Sequence, residues 1–267
     1  MRIHTLFLLT SIIAATGPAL AAQDMLLGVD MNSEKMTKAE MTRADVEGLI
    51  SRAAGKPIDL SDRSLSGLDL SGLNLKGANL RTARLNGSNL KGADLSGANL
   101  QQAWLLKANL SGAKLVGADM FGITARNANF SEADLSKAKP IGDFSSANLS
   151  GATLTDLNGN ADLKNQSMGL MGTVFTNVNL EGARLKGAGL SHAKLDYANL
   201  KGSDLTDAVL TAADASGADL TGATIAGANL KGFDVSGAKL QQLKGRDSAK
   251  DWSGLVNVDQ AITDGGR

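Results

Sequence analysis

The chain has 267 residues, a length that fits one large domain or two ordinary ones. Its 27 basic and 27 acidic side chains cancel, which argues against a globally basic nucleic-acid binder and against a strongly acidic DNA mimic. Apolar residues make up 43% of the chain, but only 3% are aromatic, 31 are glycine and none is cysteine, so disulfides, thiolate metal sites and cysteine nucleophiles are excluded.

The first 21 residues have the layout of a secretory signal peptide. Arg2 precedes an apolar run over residues 6–15, a Gly-Pro pair follows, and Ala19-Leu20-Ala21 supplies a cleavage site of small residues. The apolar run is shorter than the roughly 20 residues that span a membrane, although a retained anchor is the alternative. We therefore expect a periplasmic or secreted protein with no transmembrane segment after processing and a net charge of about −1.

Residues 22–57 are predicted to form a linker and a short capping helix. Thr42 is a good N-cap with an acidic residue, Asp45, three positions later, and the helix ends at Gly55. Its apolar face would consist of Val46, Leu49, Ile50 and Ala53. This helix is expected to close one end of the structure that follows.

A period of five residues organises positions 58–245. An apolar residue stands at every fifth position from Leu65 to Leu135 and again from Leu170 to Leu240, giving 30 repeat centres of which 23 are Leu. The residue two positions before the centre is Ala in 20 of the 30 repeats, and Gly follows two positions after the centre in 9 of 15 repeats of each array. Representative centres are Leu80, Leu95, Leu110, Leu180, Leu200 and Leu220.

A five-residue period suits neither of the standard elements. It turns about 500° around an α-helix, and an odd step along a strand places the next side chain on the opposite face. The chain must therefore turn after every five residues for each centre to point inward, and Gly at a fixed position supplies a turn residue with positive φ. Equal sides joined by turns predict an all-β solenoid in which neighbouring coils share one core.

Segments such as 78–82, 93–97 and 218–222, which all begin with Ala-(Asn/Asp)-Leu and of which the last two end in Gly, resemble the pentapeptide-repeat family. The resemblance covers about residues 58–245. It implies a right-handed quadrilateral β-helix with about twenty residues per coil, with Leu and Ala inside and the Asn/Asp position facing out.

The five-residue phase slips between residues 136 and 169. Pro140 falls on a centre, the centres continue at Phe144, Leu149, Leu154 and Leu163, and Leu170 restores the phase. Because 35 residues separate Leu135 from Leu170, seven sides fit, and we expect the polar residues of this stretch to bulge outward: Asn158, Asn160, Asn165 and Gln166. The bulge is either a partner-binding loop or a tolerated insertion in a surface turn.

Residues 246–267 are predicted to form a C-terminal cap or tail. Trp252, Leu255, Val256 and Val258 are its apolar residues. They either cover the open end of the coil or form a homodimer contact, as the resemblance implies for some family members.

The sequence offers no catalytic set, and we expect no enzyme, cofactor or bound metal. His192 is the only histidine after the predicted signal peptide, which leaves no zinc site and no Ser/His/Asp arrangement. Stacking by twenty residues places Asp214 beside Asp234, and the same extrapolation puts this pair in one row with Asp94, Lys114, Asp134 and Lys194. Such a row is typical of a surface charge ladder.

Outward apolar residues are the best candidates for a partner-binding surface. Trp104 and Leu106 are predicted to point out of one side, with Arg84 one coil earlier and Arg126 one coil later, and Phe121 points out of a neighbouring side. A Trp flanked by Arg is typical of interface hot spots, whereas isolated surface hydrophobes are the alternative.

We therefore predict a non-enzymatic exported scaffold or protein-interaction module that contacts a protein or an envelope component. The alternative, implied by the resemblance, is a DNA-mimic protein that binds and protects topoisomerases, as quinolone-resistance members do. Export and the near-zero charge disfavour that alternative, and no nucleic-acid partner is expected.

Overall fold

The computed structural model describes residue 30 and residues 33–161 and 171–265, and the predicted signal peptide lies outside them. Residues 31–267 belong to one compact unit. Its helices are α1 (Glu34–Thr37) and α2 (Arg43–Ala53), its two-residue strands are β1 (Ile123–Thr124), β2 (Gly142–Asp143) and β3 (Thr173–Val174), and three 3₁₀ helices follow at Arg246–Ser248, Trp252–Gly254 and Val258–Gln260. No helix among the described residues is long and apolar enough to cross a membrane.

Parallel bridges between successive coils build the rest of the unit. Each regular coil has twenty residues and four bridges, so four columns run along the coil: side 1 contains Asp59, Asn79 and Asn99, side 2 contains Ser64, Arg84 and Trp104, side 3 contains Asp69, Asn89 and Asn109, and side 4 contains Asn74, Asp94 and Lys114. All six representative centres are buried, with at most 1% of their surface exposed. The predicted inward set and the five-residue period are confirmed.

The corners explain both the glycine and the Asn/Asp positions of the repeat. At a typical corner the amide of Ala78 donates to the carbonyl of Leu75 and Gly77 has φ of +67°. The side-chain oxygen of Asn74 accepts from the amide of Lys76, two residues on. A short polar side chain thus satisfies the amide that enters the turn, and Gly accepts the left-handed backbone without a Cβ clash.

Helix α2 begins and ends where the sequence predicts. Thr42 and Asp45 form a reciprocal capping box, and Ala54 takes the left-handed conformation before Gly55. Val46 is fully buried in the core of the coil, and Leu49, Ile50 and Ala53 pack against the same core. The apolar face of the helix therefore lies on the solenoid core, because no other surface would remove it from water.

The irregular middle differs from the seven-sided prediction. One coil has nineteen residues, since Asn129 pairs with Asn148, and the next has thirty-one, since Asn148 pairs with Asn179. The missing residue is at Pro140, where the amide of Ile141 donates to the carbonyl of Lys139 and makes a tighter corner. The eleven extra residues lie in the sequence between Gly159, which is buried, and Thr173, and most of them are outside the described residues.

The loop also corrects the predicted charge row. The nineteen-residue coil is one residue shorter than a regular coil, and the thirty-one-residue coil is eleven residues longer. Together they shift the sequence after the insertion by ten residues, or half a coil, relative to the four sides. Asp94, Lys114 and Asp134 therefore lie on side 4, whereas Lys194, Asp214 and Asp234 lie on the opposite side 2. The pairing of Asp214 with Asp234 is confirmed, but the single row is wrong because extrapolation by twenty ignores the inserted residues.

The bridges continue beyond residue 245 in a final coil with longer sides. Lys250, Val256 and Ile262 pair with Asn229, Asp234 and Lys239, so these sides have six residues, and a 3₁₀ helix occupies each one. The guanidinium of Arg246 lies 4.2 Å from the ring centre of Trp252. Leu255 packs against the core, while Val256 and Val258 are about 40% exposed.

Candidate interaction surface

The predicted partner-binding residues lie on the neighbouring sides 1 and 2 of adjacent coils. Trp104 is bridged to Arg84 before it and to Thr124 after it on side 2. Phe121 ends side 1 one coil later, just before the corner at Gly122, and it is 37% exposed. Trp104 and Leu106 are partly exposed on side 2. The structure therefore places Trp104 and Leu106 on one side and Phe121 on the neighbouring side, as the sequence predicts.

Sequence reasoning missed two features of this edge. Ile141 is partly exposed in the position that follows Phe121 by one coil, and the phase slip at Pro140 concealed this alignment. Thr124 occupies an outward position but is only 3% exposed. We call the partly exposed apolar residues of sides 1 and 2 in these coils, Trp104, Leu106, Phe121 and Ile141, the edge patch.

Both arginines beside the edge patch are held by carboxylates of the same chain. Arg84 Nη2 donates to Glu40 Oε1 at 3.0 Å, and the Arg84 side chain is only 14% exposed. Arg126 Nε pairs with the carboxylate of Asp143. The Glu40 contact joins residues 44 positions apart, and no pattern in the sequence signalled it.

The candidate loop is only partly described. Asn158 does not bulge outward, because it bridges Gly189 and belongs to side 1, and its side-chain oxygen accepts from Asn160 Nδ2 at 3.2 Å. Asn160 Oδ1 accepts from the amide of Ser191 at 2.9 Å. Asn165 and Gln166 lie outside the described residues. The expectation of a bulge at Asn158 is wrong, because a bridged residue continues the side.

The base of the loop is fixed by a buried hydroxyl. Thr173 Oγ1 lies 2.8 Å from the carbonyl oxygen of Pro140 and 2.9 Å from that of Gly159. It is 1% exposed. The short coil and the start and end of the insertion are therefore tied together at the same edge as the edge patch.

Asp219 illustrates the ion pairs and turn hydrogen bonds that titratable groups make on the described sides. Asp219 on side 3 lies between Lys201 Nζ at 3.4 Å and Lys239 Nζ at 3.1 Å. Burial alone would raise its pKa, but hydrogen bonds from Thr221 and the two lysines together lower it to about 2. Among the described residues, no group of three His, Asp or Glu side chains could hold a metal ion.

One cavity lies beside the end of α2. Its volume is about 410 Å³, and it lies between Ile50 of the helix and the corners at Gly77 and Gly97, with Lys56 and Lys76 at its walls. No carboxylate or histidine is among its described lining residues. The cavity lacks the paired acid and base that hydrolytic or transfer chemistry requires.

A coil of five-residue sides with Leu and Ala inside defines a pentapeptide-repeat solenoid. The family model for pentapeptide repeats matches eight copies over residues 64–102, 105–139, 170–207 and 203–242. The chain therefore belongs to the pentapeptide-repeat family. A search of curated proteins found no match.

Solved structures agree with this assignment. The chain is 33% identical to HetL, a pentapeptide-repeat protein involved in heterocyst differentiation regulation from the cyanobacterium Nostoc, over 85% of this chain and 99% of HetL, with a TM-score of 0.59. Rfr23 from Cyanothece is 26% identical over 44% of this chain and 64% of its own, with a TM-score of 0.31. QnrB1, a plasmid-mediated fluoroquinolone resistance protein, is 17% identical over 75% and 89%, with a TM-score of 0.38. The last two scores are too low to support a functional comparison.

Proposed function

We propose that this protein is a non-enzymatic, exported interaction module that binds a protein or an envelope component through the edge patch. The observation that carries the proposal is that Trp104, Leu106 and Phe121 are partly exposed apolar residues on neighbouring sides of adjacent coils. Apolar side chains grouped on a rigid surface are typical of binding sites. The proposal includes no cofactor, no metal and no nucleic-acid ligand.

The fold supports a binding role in two further ways. The right-handed, four-sided coil proposed for the family presents flat sides whose backbone groups are already paired, and α2 is proposed to close its N-terminal end. The similar protein HetL is involved in heterocyst differentiation regulation. A regulatory interaction of this kind is compatible with a surface that holds no reactive cluster.

Mutation of Trp104 tests the edge patch. Trp104→Ala should weaken the retention of proteins captured by the tagged chain, because it removes the largest apolar side chain of the patch, and the melting temperature should stay close to that of the wild type. Val116→Ala is the matched control, since Val116 is a partly exposed residue on side 4. An identical set of captured proteins for both variants would exclude the patch as the binding surface.

Export is tested separately. Fractionation of cells that express the C-terminally tagged protein should place it in the periplasm or the medium, shortened by the predicted 21 residues. Mass spectrometry of the N-terminus identifies the cleavage site. A full-length protein confined to the cytoplasm would contradict export and would favour the topoisomerase-binding alternative.

We further propose that two copies associate through the C-terminal coil. Val256 and Val258 are about 40% exposed there, and among the described residues no further coil pairs with this edge. An unpaired edge with apolar side chains favours association. Light scattering should give a dimer mass that Val256→Glu reduces to a monomer, whereas a wild-type monomer at high concentration would contradict the proposal.

A further inference from the structure

A segment at the N-terminus, residues 33–41, lies across the first two coils of side 2. We call it the strap. The amide of Glu40 donates to the carbonyl of Ser64 at 2.8 Å, and Ser64 Oγ donates to the carbonyl of Lys38 at 2.6 Å. One coil further on, Asn86 Nδ2 donates to the carbonyl of Met36 at 3.2 Å. The strap is thus held as a bound peptide would be, mainly through its backbone.

The strap covers positions that are solvent-exposed on the other sides. Ser64 is 1% exposed and Ser66 is 3% exposed, although both occupy outward positions of the repeat. The positions equivalent to Ser64 in the first coil are exposed on every other side, at Asp59, Asp69 and Asn74. Met36 is itself 6% exposed. In the first coil, the outward position of side 2 is therefore covered, whereas the equivalent described positions of the other three sides are exposed.

The strap leaves polar groups of this surface without partners. Among the described residues, Ser66 Oγ and Arg84 Nε are buried and make no hydrogen bond, although Arg84 Nη2 binds Glu40. Buried donors without partners are uncommon and destabilising. The strap therefore fits the surface incompletely, as a substitute ligand would.

We propose that side 2 beneath the strap is a peptide-binding site, and that the strap occupies it in the free protein. The ligand is a peptide segment of a partner protein that carries an apolar side chain in place of Met36, which lies in the helical turn α1, and, four residues later, a carboxylate in place of Glu40. Its carboxylate binds Arg84, and its backbone binds Ser64 and Asn86. This inference rests on the proposed interaction function and names the chemistry of the partner.

The contacts of the strap make exchange feasible. Its helix α1 has only four residues. Glu40 is half exposed, so its carboxylate is accessible to competition. An isolated helical turn contributes little stability, and the strap is retained chiefly by the side-2 hydrogen bonds and by the burial of Met36.

The site is continuous with the edge patch. Asn86, which holds the strap through Nδ2, also accepts from the amide of Leu106 through Oδ1 at 3.1 Å. Arg84, which holds Glu40, is bridged to Trp104. A peptide in the place of the strap would therefore reach Trp104 and Leu106 with the residues that precede its apolar anchor.

A fluorescent peptide with the sequence of residues 33–41 is the probe. Fluorescence anisotropy compares its binding to the full-length wild type and to the full-length Met36→Ala/Glu40→Ala variant, whose own strap is weakened. The strap competes with the peptide, so the apparent affinity for the peptide falls in proportion to the fraction of molecules whose site is not occupied by the strap. Because the variant weakens the strap, it should bind the peptide about tenfold more tightly than the wild type. Adding Arg84→Met to the variant should reverse most of this gain.

Controls separate the site from non-specific binding. Lys38→Ala should behave as the wild type, since Lys38 contacts side 2 through its carbonyl only. A scrambled peptide of the same composition should not bind. Circular dichroism checks that each variant keeps the folded coil, and the exchange rate of the Glu40 amide in the wild type is a second measurement that needs no variant.

Peptide binding that increases in the strap variant, depends on Arg84 and accelerates exchange of the Glu40 amide supports the inference. Absence of binding to the strap variant, or binding that Arg84→Met leaves unchanged, overturns it. Neither result depends on the Trp104→Ala capture experiment, so failure of the peptide site and failure of the edge patch are distinguishable.

Discussion

Gly142 shows how a single residue permits the short coil. A Cβ at this position would lie 2.4 Å from the carbonyl oxygen of Ile123 and 2.8 Å from its amide nitrogen. Both atoms belong to the paired backbone of the preceding coil, since Ile123 and Gly142 are partners in the β1–β2 ladder. Neither atom can move away without loss of that pairing.

Gly142→Ala should therefore destabilise the protein by roughly 2 kcal/mol or more, since overpacking against fixed backbone costs about 1–3 kcal/mol. Gly112→Ala is the matched control: Gly112 also has positive φ, but nothing lies within 4 Å of the place that its Cβ would take. The control should lose only about 1 kcal/mol from backbone strain. Urea denaturation measures both, and equal losses would contradict the close-contact explanation.

Asp219 couples stability to pH. Its pKa in the folded protein is lowered from 3.8 to about 2, so the folded state favours the carboxylate more than the unfolded state does. The stabilisation is complete above the unfolded pKa and is lost as pH falls from about 4 towards 2. Allowing for solvent, it corresponds to roughly 1–2 kcal/mol at pH 7.

Asp219→Asn should lower the free energy of unfolding at pH 7 by that amount, and the difference from the wild type should shrink towards pH 2. The exposed Asp259→Asn is a charge-matched control, for which a change below about 0.5 kcal/mol is expected. A difference for Asp219→Asn that is constant between pH 7 and pH 2.5 would show that the ionised carboxylate, held by Thr221 and the two lysines, is not the cause.

The side-3 column is a continuous element built from side chains. Six asparagines follow Asp69 along this column, and each donates through Nδ2 to the side-chain oxygen one coil earlier, at 3.0–3.3 Å: Asn89, Asn109, Asn129, Asn148, Asn179 and Asn199. Each oxygen also accepts from a backbone amide two residues on, as Asn129 does from Ser131. The column crosses both the short and the long coil without interruption.

Asn129→Ala should destabilise the protein by about 1–3 kcal/mol, because it leaves the amide of Ser131 and the side chains of Asn109 and Asn148 with lost partners. Ser131→Ala keeps the backbone amide and serves as the control. Thermal unfolding followed by circular dichroism measures both. If Asn129→Ala lowers the stability no more than Ser131→Ala does, the hydrogen bonds of the asparagine column do not stabilise the fold.

The sequence predicts an element well when the residues that determine it are close together in the chain. The centres, the turn glycines and the capping box of α2 could be predicted because each follows from residues within five positions of one another. The length of the middle coil could not, because the five-residue phase is the same whether ten residues form two sides or a loop. The contact of Glu40 with Arg84 could not be predicted either, because it depends on the path of the strap, whose sequence does not follow the five-residue repeat.

At the scale of the whole molecule, the two ends of the coil differ. Val46 of α2, which precedes the first coil, is fully buried in the core, whereas the C-terminal coil has longer sides and exposed Val256 and Val258. In a solenoid each coil is stabilised by its neighbours, so a terminal coil opens at lower free energy than an internal one.

Hydrogen exchange should therefore show a gradient. The amides of Leu230 and Leu240, which donate to Lys250 and Ile262 of the last coil, should exchange at least about tenfold faster than that of Leu110 in the middle. The amide of Leu65, near the covered end, is the control and should resemble Leu110. Equal protection of Leu65 and Leu240 would show that the final coil covers its end as well as α2 does.

The half-coil shift in register between the two arrays determines which residues of this surface share a side. A binding motif written at twenty-residue spacing stays on one side only if all its positions precede Pro140 or all follow Thr173, since the bridges change from Asn129–Asn148 to Asn148–Asn179 between them. Grafted across the loop by simple counting, half of the motif would face away from its target.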